Sequence, residues 1–182
     1  YVLIKYQQNF PGNGDPYCTQ EAIDRRSYYG VNSIPRLEID GGWNTNPAGN
    51  FNNNVYNTFK NIPAVGTMSG SYTIDEANQT VSYDVTFTPN FDFPDDAVAL
   101  QIIIMEKLTK LNVSTNGETQ FEHVMKKMIG GEEGTLLTNV KGGTPVNISG
   151  SYTFNGNFRK PNNAGDPIDH ATEHSVEEFS DL

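Results

Sequence analysis

Two histidines and a glutamate near the end of the chain have the spacing of a zinc site. Residues 170–174 read His-Ala-Thr-Glu-His, which matches the His-x-x-Glu-His pattern of one class of zinc peptidases. On a helix, His170 and His174 would share one face and bind the metal, with Glu173 as the general base. A third ligand would have to come from the acidic residues that follow, Glu177, Glu178 and Asp181. The pattern makes a zinc-dependent hydrolase one alternative; incidental metal binding and a solvated tail are the others.

Cys18 is the only cysteine of the chain. It follows Asp15-Pro16, which has the pattern of a helix start, and the dipole of a helix favours a thiolate at that end. Thiol–disulfide exchange also needs a second thiol to resolve the mixed disulfide. We therefore interpret Cys18 as a small buried hydrophobe, facing Ala22 and Tyr29. The alternative, a thiol–disulfide oxidoreductase, requires a Cys-x-x-Cys pair upstream of this chain.

Residues 28–42 predict the end of a helix, a tight corner, a short strand and a glycine turn. Proline cannot donate a ladder hydrogen bond, so it belongs in a turn or at the first residue of a strand. Leu37 and Ile39 alternate with polar residues, as in a half-buried strand. Such a corner can present its backbone to an extended peptide, and Trp43 in the following loop either contacts the same ligand or packs against the lobe. The predicted binding residues are Ser33, Ile34, Pro35, Arg36 and Trp43.

The elements around this corner predict a small α/β lobe over residues 1–63. Residues 1–6 are expected to form a strand, and a helix is expected between Asp15-Pro16 and Gly30. A second, short helix is predicted before Pro63 from apolar residues spaced i, i+4 and i+7.

From residue 64 onward the pattern has a period of two, which predicts a β-sandwich over residues 64–182. Residues 68–74 and 81–87 alternate as a hairpin with one buried face. Residues 97–107 are the most apolar strand, and we expect it to be central. Further strands are predicted at 121–129, 135–140 and 146–158, and about six or seven short strands are typical of a sandwich. After Arg159 we expect a polar, irregular tail.

One short segment occurs twice in the predicted sandwich. Residues 69–74 read Ser-Gly-Ser-Tyr-Thr-Ile, and residues 149–154 read Ser-Gly-Ser-Tyr-Thr-Phe. The echo indicates either a duplicated half or two strands with the same packing requirement.

Composition argues against several classes of function. The 22 acidic and 12 basic residues give a net charge of -10, which is unfavourable for nucleic acid and for anionic lipid surfaces. No apolar run approaches the ~20 residues of a membrane-spanning helix. The abundance of asparagine, glycine, threonine and serine suits an extracytoplasmic protein. The chain begins without a methionine, so we expect a processed piece of a longer protein.

Several motifs resemble those of a known family. The Ile34–Pro35 corner, the strand and the Gly-Gly turn resemble the second half of a thioredoxin-like domain, in which that peptide bond would be cis. With the sandwich, the arrangement resembles the Bacteroidetes-type outer-membrane protein family whose founding member was named for its twenty-eight-kilodalton mass. The other matching segments are Asp15-Pro16, residues 121–130 and Gly134-Thr135.

This resemblance implies export to the cell envelope, with localisation at the outer membrane or cell surface and any anchoring through an N-terminal lipid. This chain departs from the family pattern in two respects. The family's lobe has a Cys-x-x-Cys pair upstream of a strand like residues 1–6, and its sandwich usually closes with a further apolar strand; the present sequence contains neither.

The sequence thus predicts an α+β chain: a partial thioredoxin-like lobe (1–63) followed by an immunoglobulin-like antiparallel β-sandwich (64–182). The leading functional hypothesis is a non-catalytic envelope protein that binds a protein or peptide partner and uses no cofactor. The oxidoreductase and the zinc hydrolase remain the alternatives.

Overall fold

Strands dominate the structure, a computed structural model that describes residues 2–45, 50–113, 117–159 and 165–182. Strands account for 38% and helices for 12%, in several antiparallel sheets, so the chain is α+β as predicted. No helix in the described ranges is long and apolar enough to cross a membrane. The elements in chain order are α1 (Gln20–Tyr28), β1 (Leu37–Ile39), β2 (Trp43–Thr45), α2 (Asn53–Lys60), β3 (Gly66–Asp75), β4 (Thr80–Pro89), β5 (Val98–Leu100), β6 (Ile102–Thr109), β7 (Phe121–Ile129), β8 (Thr135–Leu137), β9 (Val146–Thr153), β10 (Asn157–Phe158), β11 (Glu173–His174) and a final 3-10 helix (Phe179–Asp181).

Helix α1 begins later than the sequence predicts. Its N-cap is Thr19, whose hydroxyl oxygen accepts a hydrogen bond from the Ala22 amide at 3.2 Å. Asp15 instead stabilises the preceding turn, because its carboxylate accepts a hydrogen bond from the Tyr17 amide at 2.8 Å. The helix is followed by Gly30, in the left-handed region with φ 62.

The corner after α1 has the predicted form. The Ile34–Pro35 peptide bond is cis, and β1 follows it directly. Strand β1 pairs antiparallel with β2, with Ile39 opposite Trp43. Trp43 was predicted to lie in a loop, and this was wrong: residues 43–45 form β2, because the short turn at residues 40–42 closes a hairpin with β1. The predicted second helix is confirmed as α2.

The strand predicted at residues 1–6 is not formed over the described residues 2–6; residue 1 lies outside the described ranges. Lys5 makes a single parallel bridge to Val124 of β7, and the Met125 amide donates to the Lys5 carbonyl at 3.0 Å. Behind this contact, one core cluster combines α1 with β7 (Ala22, Met125 and Met128). Packing therefore crosses residue 63, and the division into two domains there stays a prediction.

The predicted hairpin is confirmed as β3 and β4, but its burial differs from the prediction. Strand β4 is the centre of a three-stranded sheet of order β3-β4-β9. Residues 97–107 were expected to form one central strand, but they contribute to two strands, β5 and β6. Strand β5 pairs with β8, and β6 pairs with β7, in two separate two-stranded sheets. Val81 and Phe87 of β4 are buried, whereas Met68 and Tyr72 of β3 are 65% and 60% exposed. The reason is that the elements covering this sheet reach β4 and β9, and of β3 only Ile74 packs against the core.

The predicted tail is largely irregular over the described residues 165–182, with a two-residue strand and a short 3-10 helix, but it packs into the core. Residues 160–164 lie outside the described ranges. Ile168, Val176 and Leu182 are all buried. Strand β11 pairs parallel with β10, and Ile168 bridges to Thr19 just before α1. Each of these apolar residues is isolated among polar residues, so the segment has no hydrophobic periodicity that would predict its burial in the core.

A buried ion pair joins β6 to β7. Lys126 Nζ lies 3.0 Å from Glu106 Oε2, and both side chains are fully buried. In the ladder, Ile104 is opposite Lys127 and Met105 is opposite Met125, so Lys126 is an extra residue without a partner. Such a bulge re-aims a side chain, and here three consecutive residues, 124–126, are buried.

The pair is completed by groups from both ends of the chain. Lys126 Nζ donates to the Ser175 carbonyl at 2.6 Å and lies 3.8 Å from the ring centroid of Tyr17. The Glu106 carboxylate accepts hydrogen bonds from the amides of residues 177 and 178 at 3.2 and 2.7 Å. Burial raises the pKa of Glu106, and the facing Lys126 ammonium opposes that rise. Burial likewise lowers the pKa of Lys126 against the attraction of Glu106.

Removing one partner of this pair should destabilise the protein strongly. We expect Lys126→Met to lower the free energy of unfolding by about 3–5 kcal/mol, because it leaves the Glu106 carboxylate buried without its counter-ion. Adding Glu106→Gln should recover part of the loss. Urea unfolding followed by circular dichroism measures both.

Lys107→Met is the matched control, since Lys107 is an exposed lysine on β6, next to Glu106. It should change the unfolding free energy by less than about 0.5 kcal/mol. An equal effect of the two single substitutions would contradict a special role for the buried pair.

Candidate functional site

The predicted binding residues lie at the two ends of β1: residues 33–36 precede it, and Trp43 is opposite its last residue, Ile39. Pro35 is exposed, while Ser33, Ile34, Arg36 and Trp43 are half-buried. Arg36 directly precedes β1, and its Nε donates to Glu38 Oε1 at 3.0 Å. Trp43 lies on β2 opposite Ile39. Ile39 is three residues after Arg36, so the backbone of Arg36 and the position of Trp43 are separated by roughly 10 Å along the strand direction.

The outer edge of β1 is open. Strands β1 and β2 form a sheet of two strands, and within the described ranges no other strand pairs with β1. An edge strand presents main-chain donors and acceptors that can pair with another extended chain. The corner residues stand at the entry to this edge.

The predicted zinc residues do not have the geometry that a metal site needs. Residues 170–172 form a turn, and Glu173 and His174 are the two residues of β11, so the helix that would bring both imidazoles to one face is not formed. Among the residues the structure describes, no group of three or more His, Cys, Asp or Glu could hold a metal ion.

The three side chains instead have separate partners. His170 Nε2 lies 3.0 Å from Glu21 Oε2. Glu173 accepts hydrogen bonds from Arg159 and from the Asp169 amide. The ring of His174 makes edge contacts with three phenylalanines (Phe154, Phe158 and Phe179), and burial lowers the pKa of His174.

Cys18 is a buried thiol, as interpreted from the sequence. It has no exposed surface, and burial, aided by the nearby Asp15 carboxylate, raises its pKa to about 12. Burial thus outweighs any stabilisation of a thiolate by α1. Cys18 itself is therefore unsuited to act as a nucleophile in this conformation.

A polar cluster that the sequence analysis missed surrounds Glu21. Its carboxylate contacts His170 Nε2 and Lys127 Nζ, and all three side chains are at most 20% exposed. Burial would raise the pKa of Glu21, but the hydrogen bond and charge of His170, together with Lys127, lower it to about 2. The cluster joins α1, β7 and the C-terminal segment. No local pattern predicts it, because its members are 106 and 149 positions apart in sequence.

An open cleft of about 580 Å³ lies beside this cluster. Its carboxylates are of the chemical type that a hard cation prefers, but they do not converge on one point. The acidic residues lining it are Glu21, Asp24, Glu132, Asp166 and Asp169.

Comparison with known proteins identifies no relative: no family model, no curated protein and no solved structure matches the chain. The family resemblance therefore depends on the sequence motifs alone.

The Glu21 cluster predicts a specific acid dependence of stability. A carboxyl whose folded pKa is depressed stabilises the fold above its unfolded pKa and loses that contribution as the pH falls through the folded value. For Glu21 the window runs from 4.5 down to about 2. We expect Glu21→Gln to cost up to about 3 kcal/mol of unfolding free energy at neutral pH, a difference that disappears towards the lower limit of the window.

Urea unfolding at a series of pH values measures this difference. Glu122→Gln, at an exposed position on β7, is the control and should follow the wild type throughout. A Glu21→Gln deficit that stays constant across the window would show that the cluster acts through shape rather than charge.

Proposed function

We propose that this chain is a non-catalytic binding module that captures an extended peptide segment of a protein partner. The observation that carries the proposal is the open edge of β1, which begins at the exposed Pro35 and is flanked by Trp43 on the paired strand. In this mode a bound segment adds a strand: main-chain hydrogen bonds provide affinity, and neighbouring side chains provide specificity.

The proposal assigns distinct roles to the side chains at this edge. Trp43 lies on β2, one strand further in, and offers a large apolar surface across β1 from the added strand. Arg36 and Glu38 form an ion pair whose side chains are 20% and 18% exposed. Arg36 can bind an acidic residue of the ligand, and Glu38 a basic one, by giving up the ion pair between them.

The proposed architecture is a partial thioredoxin-like lobe supported by an immunoglobulin-like sandwich. The order α1, cis Ile34–Pro35, β1, β2 and α2 supports the first part. The three-stranded β3-β4-β9 sheet, packed through shared core clusters against β5, β6 and β8, supports the second.

The proposal also includes membership of the outer-membrane protein family named above and a place at the outer membrane or cell surface. The sequence motifs and composition support it. Cell fractionation tests this location, and recovery of the protein in the cytosol would contradict it. Absence of catalysis is supported by the burial and raised pKa of Cys18.

Peptide selection tests the binding function. The purified chain is used to select peptides from a random phage-displayed library, and the enriched sequences are synthesised and titrated by calorimetry. We expect Trp43→Ala to raise the Kd by about tenfold or more, because a central aromatic anchor typically contributes more than about 1 kcal/mol.

Phe91→Ala is the control, because Phe91 is an aromatic residue that is 52% exposed and lies away from the hairpin in sequence, between β4 and β5. Its Kd should equal that of the wild type. Failure to enrich any peptide, or equal affinities of the Trp43→Ala variant and the wild type, would contradict the proposal.

A further inference from the structure

A second open edge lies along β3, which belongs to a different sheet from β1. This strand has ten residues and, in the part of the chain that the structure describes, pairs only with β4. Every residue from 67 to 73 is exposed. A long exposed edge is a template for pairing unless charges, proline or a bulge block it. Residues 66–74 contain no charged residue and no proline, and their ladder with β4 is regular.

The apolar side of this strand is uncovered. Met68 and Tyr72 lie on the side that continues the core-facing side of β4, yet they are 65% and 60% exposed. The strand at the other edge of the same sheet, β9, differs in this respect. Its apolar residues Val146, Ile148 and Tyr152 all pack against core clusters. Of the two outer strands of this sheet, β3 is therefore the one whose apolar row is left exposed in the described structure.

The sequence of β3 is nearly symmetric about Gly70. Residues 67–73 read Thr-Met-Ser-Gly-Ser-Tyr-Thr. If two copies of the strand pair antiparallel with Gly70 opposite Gly70, each threonine faces a threonine and each serine faces a serine. Cross-strand pairs of these hydroxyl residues stabilise antiparallel ladders. On the other side, Met68 faces Tyr72 of the second copy, a favourable sulfur–aromatic combination.

The charges are also compatible with a second copy. Each chain carries a net charge of -10, but the paired strands bring no charged residue opposite another. Asp75 faces Val65 in this register, and the two Asp75 residues are ten positions apart, roughly 34 Å. The two Asp84 residues are separated by three strand spacings, roughly 14 Å. Both distances exceed the Debye length of about 10 Å at moderate salt.

We propose that β3 is a self-pairing strand through which two copies of this chain form a symmetric dimer. The two sheets join edge to edge in the order β9-β4-β3-β3-β4-β9, with the twofold axis between the two Gly70 residues. A twofold contact of this kind closes on itself. The free edge of β3 in each copy is then paired, and the apolar side chains of Met68 and Tyr72 become buried at the contact. The hairpin edge at β1 belongs to a different sheet and plays no part in this contact.

Charge substitutions test the register, because position 69 of one copy faces position 71 of the other. In Ser69→Lys with Ser71→Lys, like charges oppose each other twice, and we expect the dimer Kd to rise by about tenfold or more. In Ser69→Glu with Ser71→Lys, opposite charges face each other twice, and the Kd should be no higher than that of the wild type. Sedimentation velocity over a concentration series measures the Kd of the full chain.

The echo on β9 provides the matched control, since it carries the same Ser-Gly-Ser segment. Ser149→Lys with Ser151→Lys places two lysines at equally exposed positions. Both double-lysine variants add two positive charges, which changes the net charge from -10 to -8 and weakens the overall repulsion. The β9 variant should therefore dimerise at least as well as the wild type. Only an effect local to β3 can weaken the dimer.

Circular dichroism and thermal unfolding verify that each variant is folded. A wild type that stays monomeric throughout the series would overturn the proposal. So would a dimer disrupted by the β9 lysines rather than the β3 lysines, or assemblies that grow beyond two copies.

Discussion

The fold depends on one buried ion pair, between Glu106 and Lys126. Two charges removed from water are tolerated only when each remaining donor and acceptor is satisfied. Lys126 is satisfied by the Ser175 carbonyl and the ring of Tyr17, and Glu106 by the amides of residues 177 and 178. The pair therefore requires the first and last parts of the chain to be in place around β6 and β7. Without either part, one of the two charged groups would lose contacts that compensate for its removal from water.

This requirement explains why the C-terminal segment lacks the chemistry that its sequence suggested. The backbone of residues 175–178 is held at the ion pair, so the preceding residues run along the core as β11 rather than as a helix. His174 is thereby placed among phenylalanines, and His170 is directed to Glu21. The two imidazoles are committed to different neighbours, and the spacing that resembles a zinc motif reflects two separate structural contacts.

Local patterns predicted what depends on local structure. The Ile34–Pro35 corner, helix α2 and the bounds of β7 at 121–129 follow from turn chemistry and periodicity. The inward position of Glu106 could also be predicted from the sequence, because it lies two residues after Ile104 on the same strand and so points to the same, buried face. Lys126 had none, because a bulge is a property of the pairing and not of one strand. Likewise, alternation in β3 shows that the strand has two different faces, but whether anything covers Met68 depends on distant elements.

The repeated Ser-Gly-Ser-Tyr-Thr segment illustrates the same limit and separates its two interpretations. The copies flank β4 in different registers, because Tyr83 is opposite Tyr72 on one side and opposite Gly150 on the other. A side chain at Gly150 would collide with the Tyr83 ring, whereas one at Gly70 would approach the Asp84 carbonyl at 2.8 Å. The two glycines thus accommodate different neighbours, which favours similar packing requirements over a duplicated half. The two edges of one sheet are not equivalent: β9 is covered on its apolar side, whereas β3 retains a self-complementary edge that carries no charge from residue 66 to residue 74.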